Sequence, residues 1–529
     1  MKKSSVFAAL MLLSACGTGP LDEGTPQAEP GVDTASLESS GRYLVAFKNR
    51  PGAAEHALLK QMGANLRKDF SELNVAAVEM KPSKMAALMR SNLIEAIEED
   101  AIRMPLGLAT SQLTPSTGNG LYGLITTQAT AVHARGITGA GIKIGVADTG
   151  LDYTHPDIAP IYKGGIDTVS NDSDPWWNND VNETHGTHVA GTIVAANNSA
   201  GVYGVAYGAQ LYHARVLGPN GGTTSDIMDG VRWLVETAGC KIVNLSLGGG
   251  TKSRIEENFY KEMRTKGALI VAATGNDGAS KVSFPAGYAT NIAVGAVDVN
   301  NALATFSNRG TNIDVVAPGV MVLSSVPGGT GSEASVSTTA TFMGLGFEFA
   351  GRTAGLTKTI VHCGLGQAGE CPTSVSGNIA LIQRGTINFS DKVLNAMNQG
   401  AVAAILYNNV AGEFSGTLGT ATTADGRAWI PTIGVSDTTG ASLKAQAGAS
   451  GTVVNQASAW DLYDGTSMAT PHVAGVLGLI WSSKPALTNT QVETHLFNTA
   501  MNLGAAGYDT TYGYGLVNAS AAVKAASGL

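Results

Sequence analysis

The stretch that most constrains this fold runs from Met468 to Trp481 and is apolar on nearly every face of a helix. A helix without a polar face must be buried on all sides, so the chain needs a large core to enclose it. Pro471 lacks a backbone N–H, which predicts that it lies in the first turn, where that donor has no helical partner. Ser467 is therefore expected at or just before the helix N-terminus, where free N–H groups favour developing negative charge.

Two interpretations of Ser467 are open at this point. A hydroxyl on a buried, rigid element suits nucleophilic catalysis, whereas a serine at a helix start is more often an N-cap. Two other stretches supply possible partners. Asp148 ends the apolar strand 142–147, where open α/β sheets place their sites, although an aspartate there also caps turns. His185 precedes a small-residue helix. Taken alone it is a core histidine, or half of a zinc pair with His188.

The order of predicted elements indicates the fold class. The chain has 529 residues, too many for one ordinary domain. Between residues 142 and 297, apolar strand-like runs alternate with helical patterns, which predicts an α/β fold with a parallel sheet and right-handed crossovers. The predicted strands are 142–147, 209–216, 241–247, 268–274 and 291–297, and the predicted helices are 224–238 and 254–266.

Residues 41–104 predict a separate, small α+β domain in two layers. Its elements follow a βαββαβ-like order, and the linker 105–120 after it is rich in Pro, Gly, Ser and Thr, typical of an exposed segment that is easily cut. Strands are predicted at 41–49, 73–80 and 93–103, and helices at 53–64 and 82–92.

Residues 1–16 have the pattern of a signal peptide, with two lysines followed by a short apolar run. The sequence Leu-Ser-Ala-Cys ending at Cys16 resembles a bacterial lipobox, which implies lipidation of Cys16. An ordinary signal peptide with a chance cysteine is the alternative. Residues 17–40 are predicted to be a disordered tether. The expected location is secreted, extracellular or in the cell envelope, with the precursor anchored to a membrane through lipid until it is released.

Residues 328–458 break the strand–helix alternation and are rich in Gly, Thr and Ser, with β-like runs. The runs GNIALIQRG at 377–385 and IPTI at 430–433 resemble a protease-associated (PA) domain, inserted beside the segment that carries Ser467. A disulfide between Cys363 and Cys371 is plausible in an exported protein. Cys240 is predicted to be a buried free thiol.

The three candidate residues occur in the order Asp148, His185, Ser467, within ADTG, HGTHVAG and GTSMATPHVAG. With IVNLSLGG, VAATGNDG, ATFSNRG and VAPG, these motifs make residues 117–325 and 460–525 resemble the subtilisin-like serine peptidases. The resemblance implies that Ser467 attacks a peptide carbonyl, His185 takes its proton and Asp148 holds the imidazole. These roles are the known ones of subtilisin and enter here through the resemblance alone.

The resemblance also implies a domain plan and further site residues. The catalytic domain would comprise 121–327 and 459–529, and the domain 41–104 would be an inhibitory propeptide. Asn276 would act as the oxyanion donor together with the Ser467 N–H. The implied substrate-binding residues are Leu217, Gly218, Gly221, Gly222, Ser246, Leu247, Gly248, Ala273, Thr274 and Gly275.

A structural calcium ion is implied in the same way. Oxygen ligands suit calcium, although NNSAG is also an ordinary turn sequence. The chain departs from the family at two positions: Thr274 replaces a usual alanine, and Gly118 lies where a ligating glutamine is expected. The implied ligands are the side chains of Asp157 and Asn198 and the carbonyls of Ala196, Ala200 and Val202.

The chain is therefore expected to be a secreted, calcium-stabilised serine endopeptidase, autoprocessed from a precursor and acting through an acyl-enzyme. Its partners would be polypeptide substrates and its own propeptide as inhibitor, and it is expected to be a monomer. A net charge of −8 without a basic run argues against nucleic acid. Two alternatives are kept: a dead protease scaffold that presents the PA domain, and a processing protease with one natural substrate.

Overall fold

The computed structural model describes residues 40–106, 121–199, 201–412 and 414–528. The predicted signal peptide and tether with Cys16 lie outside the described residues, as do Gly118, Ala200 and most of the predicted linker. No helix among the described residues is long and apolar enough to cross a membrane.

The N-terminal domain follows the βαββαβ order expected from the sequence. Its elements are β1 (Gly41–Phe47), α1 (Ala53–Gln61), β2 (Asn65–Phe70), β3 (Val75–Met80), α2 (Met85–Leu88) and β4 (Ile94–Glu99). The strands form one antiparallel sheet in the order β2-β3-β1-β4. Strand β2 had no residues assigned to it because its polar side chains lie mostly outside the core and carry no alternating pattern.

The predicted strand 93–103 is two strands in the structure. Strand β4 completes the N-terminal sheet, whereas β5 (Ile102–Pro105) leaves that sheet and pairs with the next domain. The break falls at residues 100 and 101, where Asp100 turns away to accept hydrogen bonds from Ser225.

A seven-stranded sheet, parallel throughout, forms the centre of the next domain, in the order β14-β13-β12-β10-β6-β8-β7. Helices α5 and α10 pack on one face, and α6 and α7 on the other, beneath the N-terminal sheet. The elements are α3 (Tyr122–Thr126), α4 (Ala129–His133), β6 (Lys143–Asp148), β7 (Tyr162–Asp167), α5 (His185–Val194), β8 (Gln210–Arg215), β9 (Gly222–Thr223), α6 (Thr224–Arg232, continued by a π-helical turn Trp233–Thr237), β10 (Ile242–Leu245), β11 (Leu247–Gly248), α7 (Arg254–Thr265), β12 (Leu269–Ala273), β13 (Ile292–Val297), β14 (Val315–Pro318), β15 (Val322–Ser325), then, after the insert, β23 (Trp460–Tyr463), α10 (Thr466–Ser483), α11 (Asn489–Asn498) and α12 (Ala519–Ser527).

The insert is a closed barrel, and its two ends meet where β15 pairs with β23. The barrel has its own core, and a disulfide joins Cys363 to Cys371 within it. Its elements are β16 (Gly331–Ser337), β17 (Thr341–Gly346), β18 (Thr353–His362), β19 (Ile379–Gln383), α8 (Phe389–Asn398), β20 (Ala403–Tyr407), β21 (Thr432–Val435), α9 (Asp437–Ala445) and β22 (Ser450–Ser458).

Helix α10 is buried from Thr466 to Trp481, as its apolar faces predict, but the position predicted for Pro471 is wrong. The helix begins at Thr466, so Pro471 is its sixth residue and lies beyond the first turn. A proline there cannot donate to the carbonyl four residues earlier, that of Ser467. The hydroxyl of Ser246 donates to this carbonyl instead, at 2.8 Å, so the helix tolerates the proline through a tertiary contact.

Candidate active site

The sheet brings Asp148 and His185 together directly. Asp148 is the last residue of β6 and is fully buried, and His185 is the first residue of α5. His185 Nδ1 lies 2.7 Å from Asp148 Oδ1, which also accepts the backbone N–H of Thr149 at 2.7 Å. This arrangement fixes the ring so that Nε2 is the nitrogen available to a reacting group.

Ser467 is the second residue of α10, inside the first helical turn. Its Oγ lies 3.1 Å from the carbonyl oxygen of Ser246 and 3.1 Å from that of Leu106. His185 Nε2 has no hydrogen-bond partner among the described residues, so the hydroxyl points towards these carbonyls rather than bonding to the imidazole. Catalytic hydrogen bonds are often absent before the reacting complex tightens.

Asn276 lies directly beside the start of α10. Its Oδ1 accepts the backbone N–H of Thr466 at 2.9 Å and the hydroxyl of Thr466 at 2.8 Å. The Thr466 hydroxyl is in turn 3.2 Å from the N–H of Gly275. The carbonyl end of the Asn276 amide is therefore anchored next to Ser467.

The predicted substrate strands hold a segment of the chain itself. Strand β5 is the middle strand of a three-stranded sheet, antiparallel to both β9 and β11. Leu106 continues the pairing, with its N–H 3.4 Å from the Ser246 carbonyl. Gly221, at φ +82°, is required here because a Cβ would lie 2.3 Å from the Arg103 carbonyl oxygen. In β-strand addition an extended peptide pairs with an exposed strand edge, and here β5 pairs with two such edges.

The other predicted substrate-binding residues have different positions. Gly218 and Gly221 exchange backbone hydrogen bonds, which shapes the turn before β9. Leu217 is buried and its N–H donates to the Asp148 carbonyl, so it supports β6 rather than the bound segment. Ala273 and Thr274 are buried at the end of β12, and the Thr274 hydroxyl has no partner among the described residues.

Two carboxylates of the N-terminal domain cap helices that pack on the seven-stranded sheet. Asp100 accepts the N–H and hydroxyl of Ser225, in the first turn of α6. Glu98 accepts the Ser253 hydroxyl and the N–H groups of Arg254 and Ile255, at the start of α7. Carboxylates at helix N-termini are stabilising, so these contacts hold the N-terminal domain in place over the cleft, the groove between β9 and β11 that β5 fills.

A buried charge cluster next to the site was missed from the sequence. Arg215, at the end of β8, binds Glu183 through two bonds of 2.7 and 2.6 Å and Asp167 at 2.7 Å. The Glu183 carbonyl accepts the Thr149 hydroxyl, which ties the loop before His185 to the strand that carries Asp148. The signal available in the sequence was Arg215, a charged residue near the end of the predicted strand 209–216.

His188 does not share a site with His185. Its Nε2 lies 3.0 Å from the Val322 carbonyl oxygen, and its ring stacks on that of Tyr463 at 4.3 Å between centroids. Burial lowers the pKa of His188 to about 3, so the ring is neutral at pH 7.

The residues predicted to bind calcium offer the oxygen donors that suit this ion, and in the structure Asp157 and Asn198 are hydrogen-bonded. Asn198 Nδ2 is 3.0 Å from Asp157 Oδ1, and the N–H of Ala196 donates to the Asp157 carbonyl. However, Asp157 Oδ2 accepts hydrogen bonds from Trp460 Nε1 at 2.7 Å and Ser325 Oγ at 3.1 Å. A cation bound to Asp157 Oδ2 would compete with these donors, whereas the carboxylate keeps other acceptor sites. No cluster of three or more acidic, His or Cys side chains suited to a metal occurs in the described residues.

Comparison with known proteins identifies the families that this chain resembles. Residues 139–345 match the model of the subtilase family, and residues 349–443 match the PA domain. The chain is 38% identical to an alkaline protease of Alkalihalobacillus alcalophilus, over 56% of this chain and 78% of that one. It is 30% identical to alkaline elastase YaB of Bacillus sp., over 93% and 94% of the two chains. It also resembles the crystal structure of Apa1, a psychrophilic subtilisin-like protease of Pseudoalteromonas sp. AS-11, with a TM-score of 0.61 and 31% identity, covering 76% of this chain and 96% of that one.

Proposed function

The chain belongs to the subtilase family and is a serine-type endopeptidase, and on this premise we propose that Asp148, His185 and Ser467 form its catalytic triad. Ser467 Oγ attacks the carbonyl carbon of a peptide bond while His185 Nε2 takes the hydroxyl proton. His185 then gives this proton to the leaving amine, and water hydrolyses the acyl-enzyme by the reverse route. The 2.7 Å contact with Asp148 holds the imidazole and stabilises its protonated form.

Asn276 and the N–H of Ser467 are proposed to bind the oxyanion. The support is the anchoring of Asn276 Oδ1 by Thr466, which leaves the amide nitrogen as the end that can donate. Loss of such a donor lowers kcat by about 10²–10³, a magnitude measured on subtilisin itself.

The observation that carries the proposal is the contact between Ser467 Oγ and the Leu106 carbonyl, 3.1 Å apart, with Leu106 extending a paired strand. We infer that this chain is its own first substrate and that the maturing cut falls between Leu106 and Gly107. The proton from Ser467 passes through His185 to the new amine of Gly107. The N-terminal domain then remains bound as an inhibitor through β5 and the helix caps at α6 and α7.

The remaining parts of the proposal concern export and calcium. Residues 1–16 support export, with lipid on Cys16 as an anchor that the cut at Leu106 would sever. Structural calcium is common among subtilisins, and the oxygens around Asp157 motivate it here. No catalytic step depends on calcium. A half-life at elevated temperature that EDTA shortens and calcium restores would support this site.

The test of the triad is a set of full-length variants. Wild-type chain should mature, react with a fluorophosphonate and show Gly107 as its new N-terminus on sequencing. Ser467→Ala and His185→Ala should stay at precursor mass, because triad residues act as a unit. Ser482→Ala, at the far end of the same helix, is the matched control and should mature normally. Processing of purified Ser467→Ala protein would overturn the assignment.

A further inference from the structure

One side chain of the bound strand is buried far more deeply than its neighbours. Along β5, Ile102 and Met104 are 51% and 45% exposed, whereas Arg103 between them is 1% exposed. Side chains alternate along a strand, so Arg103 points into the catalytic domain. A fully buried arginine is rare unless it is paired, so a specific receptor for it is expected.

That receptor is Glu256, which is also fully buried. Arg103 Nη2 lies 2.6 Å from Glu256 Oε2 and 3.1 Å from the Thr251 carbonyl oxygen. The Tyr288 hydroxyl donates to the same carboxylate oxygen at 2.7 Å. Gly249 leaves room for the arginine, because a Cβ there would lie 3.1 Å from Nη1.

The groups that bind Arg103, the Glu256 carboxylate and the Thr251 carbonyl, both lie outside the N-terminal domain. Glu256 lies in the first turn of α7, where the helix N-terminus favours a negative charge. Arg103 is the one cation that forms an ion pair with Glu256 among the described residues. Burial raises the pKa of Glu256 and the charge of Arg103 opposes this, so the carboxylate has most to gain from an incoming guanidinium.

We propose that Glu256 forms a subsite that recognises arginine four residues before the cut in protein substrates, as it does for Arg103 in this chain. The proposal rests on the proposed cut after Leu106, which makes Arg103 the fourth residue on that side. The guanidinium contacts Glu256 and the Thr251 carbonyl through the same nitrogen, Nη2. A leucine in this place would leave the buried carboxylate without a cation, with Tyr288 as its hydrogen-bond donor, which is unfavourable for the charged form.

The experiment compares two peptides that differ only at this position. Acetyl-Arg-Met-Pro-Leu and acetyl-Leu-Met-Pro-Leu, each with a fluorogenic leaving amine, are cleaved by enzyme matured from the full chain and quantified by fluorophosphonate labelling. Wild-type enzyme should show a kcat/KM higher for the arginine peptide by about 10- to 100-fold. This preference should persist in 0.5 M salt, since a buried pair is weakly screened.

Variants assign the preference to one carboxylate. Glu256→Gln should remove most of the preference and Glu256→Leu should reverse it, each made also with Arg103→Leu so that maturation does not depend on an unpaired arginine. Glu257→Gln is the matched control. Glu257 is the next residue of α7 and pairs with Lys252 and Lys261 outside the cleft, so its loss should leave the ratio unchanged.

The outcomes separate this proposal from the proposed function. Equal rates for both peptides, a preference that survives Glu256→Leu, or a preference abolished by salt would overturn the subsite while leaving the protease intact. Absence of both cleavage and labelling would instead overturn the triad. Sequencing of the fragments cut from a denatured protein mixture gives a second readout: arginine should be enriched four residues before the cuts, and a flat distribution counts against the subsite.

Discussion

Replacing Ser246 by alanine should destabilise the catalytic domain through a carbonyl that Pro471 leaves without a donor. The Ser246 hydroxyl donates to the Ser467 carbonyl at 2.8 Å and accepts from Asn244 Nδ2 at 2.9 Å. All of these groups are buried. Ser246→Ala therefore removes the partner of one buried acceptor and of one buried donor.

The expected size follows from the two groups. A buried polar group that loses its partner costs about 1–3 kcal/mol, so the loss of two should lower the free energy of unfolding by roughly 2–6 kcal/mol. For a domain of this size, each kcal/mol corresponds to a shift in Tm of about 2–4 °C, which gives a decrease of roughly 4–24 °C. Pro471→Ala supplies the missing N–H and should restore about 1 kcal/mol when combined with Ser246→Ala. When Ser246 is present, its hydroxyl already donates to the Ser467 carbonyl, so Pro471→Ala should not give this stabilisation.

The assay is calorimetry of a double-mutant cycle. All four proteins carry Ser467→Ala, which keeps the backbone carbonyl and removes self-digestion, and all are scanned at one rate because unfolding of a large chain is often irreversible. Ser482→Ala is the control for loss of a serine from α10 and should be nearly neutral. The reasoning is refuted if Ser246→Ala leaves Tm unchanged, or if Pro471→Ala stabilises equally with and without Ser246.

Three further predictions concern other parts of the chain. EDTA should shorten the half-life of the mature enzyme at elevated temperature and calcium, but not magnesium, should restore it; an unchanged half-life would mean that Trp460 and Ser325 occupy Asp157 in place of an ion. Burial raises the pKa of the Cys240 thiol to about 12, so a thiol reagent at pH 8 should label it only after unfolding, and rapid labelling of native protein would contradict its buried position. Removing the Cys363–Cys371 disulfide, whose cysteines are 8 residues apart, should destabilise the PA barrel by about 2–3 kcal/mol in the chain-entropy model. A calorimetric transition of the barrel that moves to lower temperature, with unchanged cleavage of short peptides, is the expected result.

The α/β fold class and the PA domain were predictable because both depend on local patterns. A short apolar run such as the one that becomes β6 is typical of a buried strand, and α10 is apolar on nearly every face. Candidate residues were found where a motif combined a reactive side chain with a glycine-rich context, as at Ser467.

What the sequence did not predict depends on contacts between distant segments. Pro471 was placed in the first turn because the hydroxyl that replaces its hydrogen bond comes from Ser246, more than two hundred residues away. The hydrogen bonds that Asp157 accepts from Ser325 and Trp460 form only when the ends of the insert meet. Arg103 is buried because side chains alternate along β5. This strand forms only where the chain leaves the N-terminal sheet and pairs with β9 and β11.

Because β5 lies between β9 and β11, the substrate groove and the segment of the precursor that fills it must remain compatible as the sequence evolves. Under the proposed maturation, every new molecule must accept Arg-Met-Pro-Leu before it meets any other polypeptide. A mutation that reshapes the cleft is therefore selected first on its own precursor, and a variant that rejects residues 103–106 never becomes an active enzyme. Natural drift in specificity is confined to changes that both segments tolerate. Laboratory evolution that screens for activity also selects for self-cleavage, unless residue 103 is randomised together with position 256.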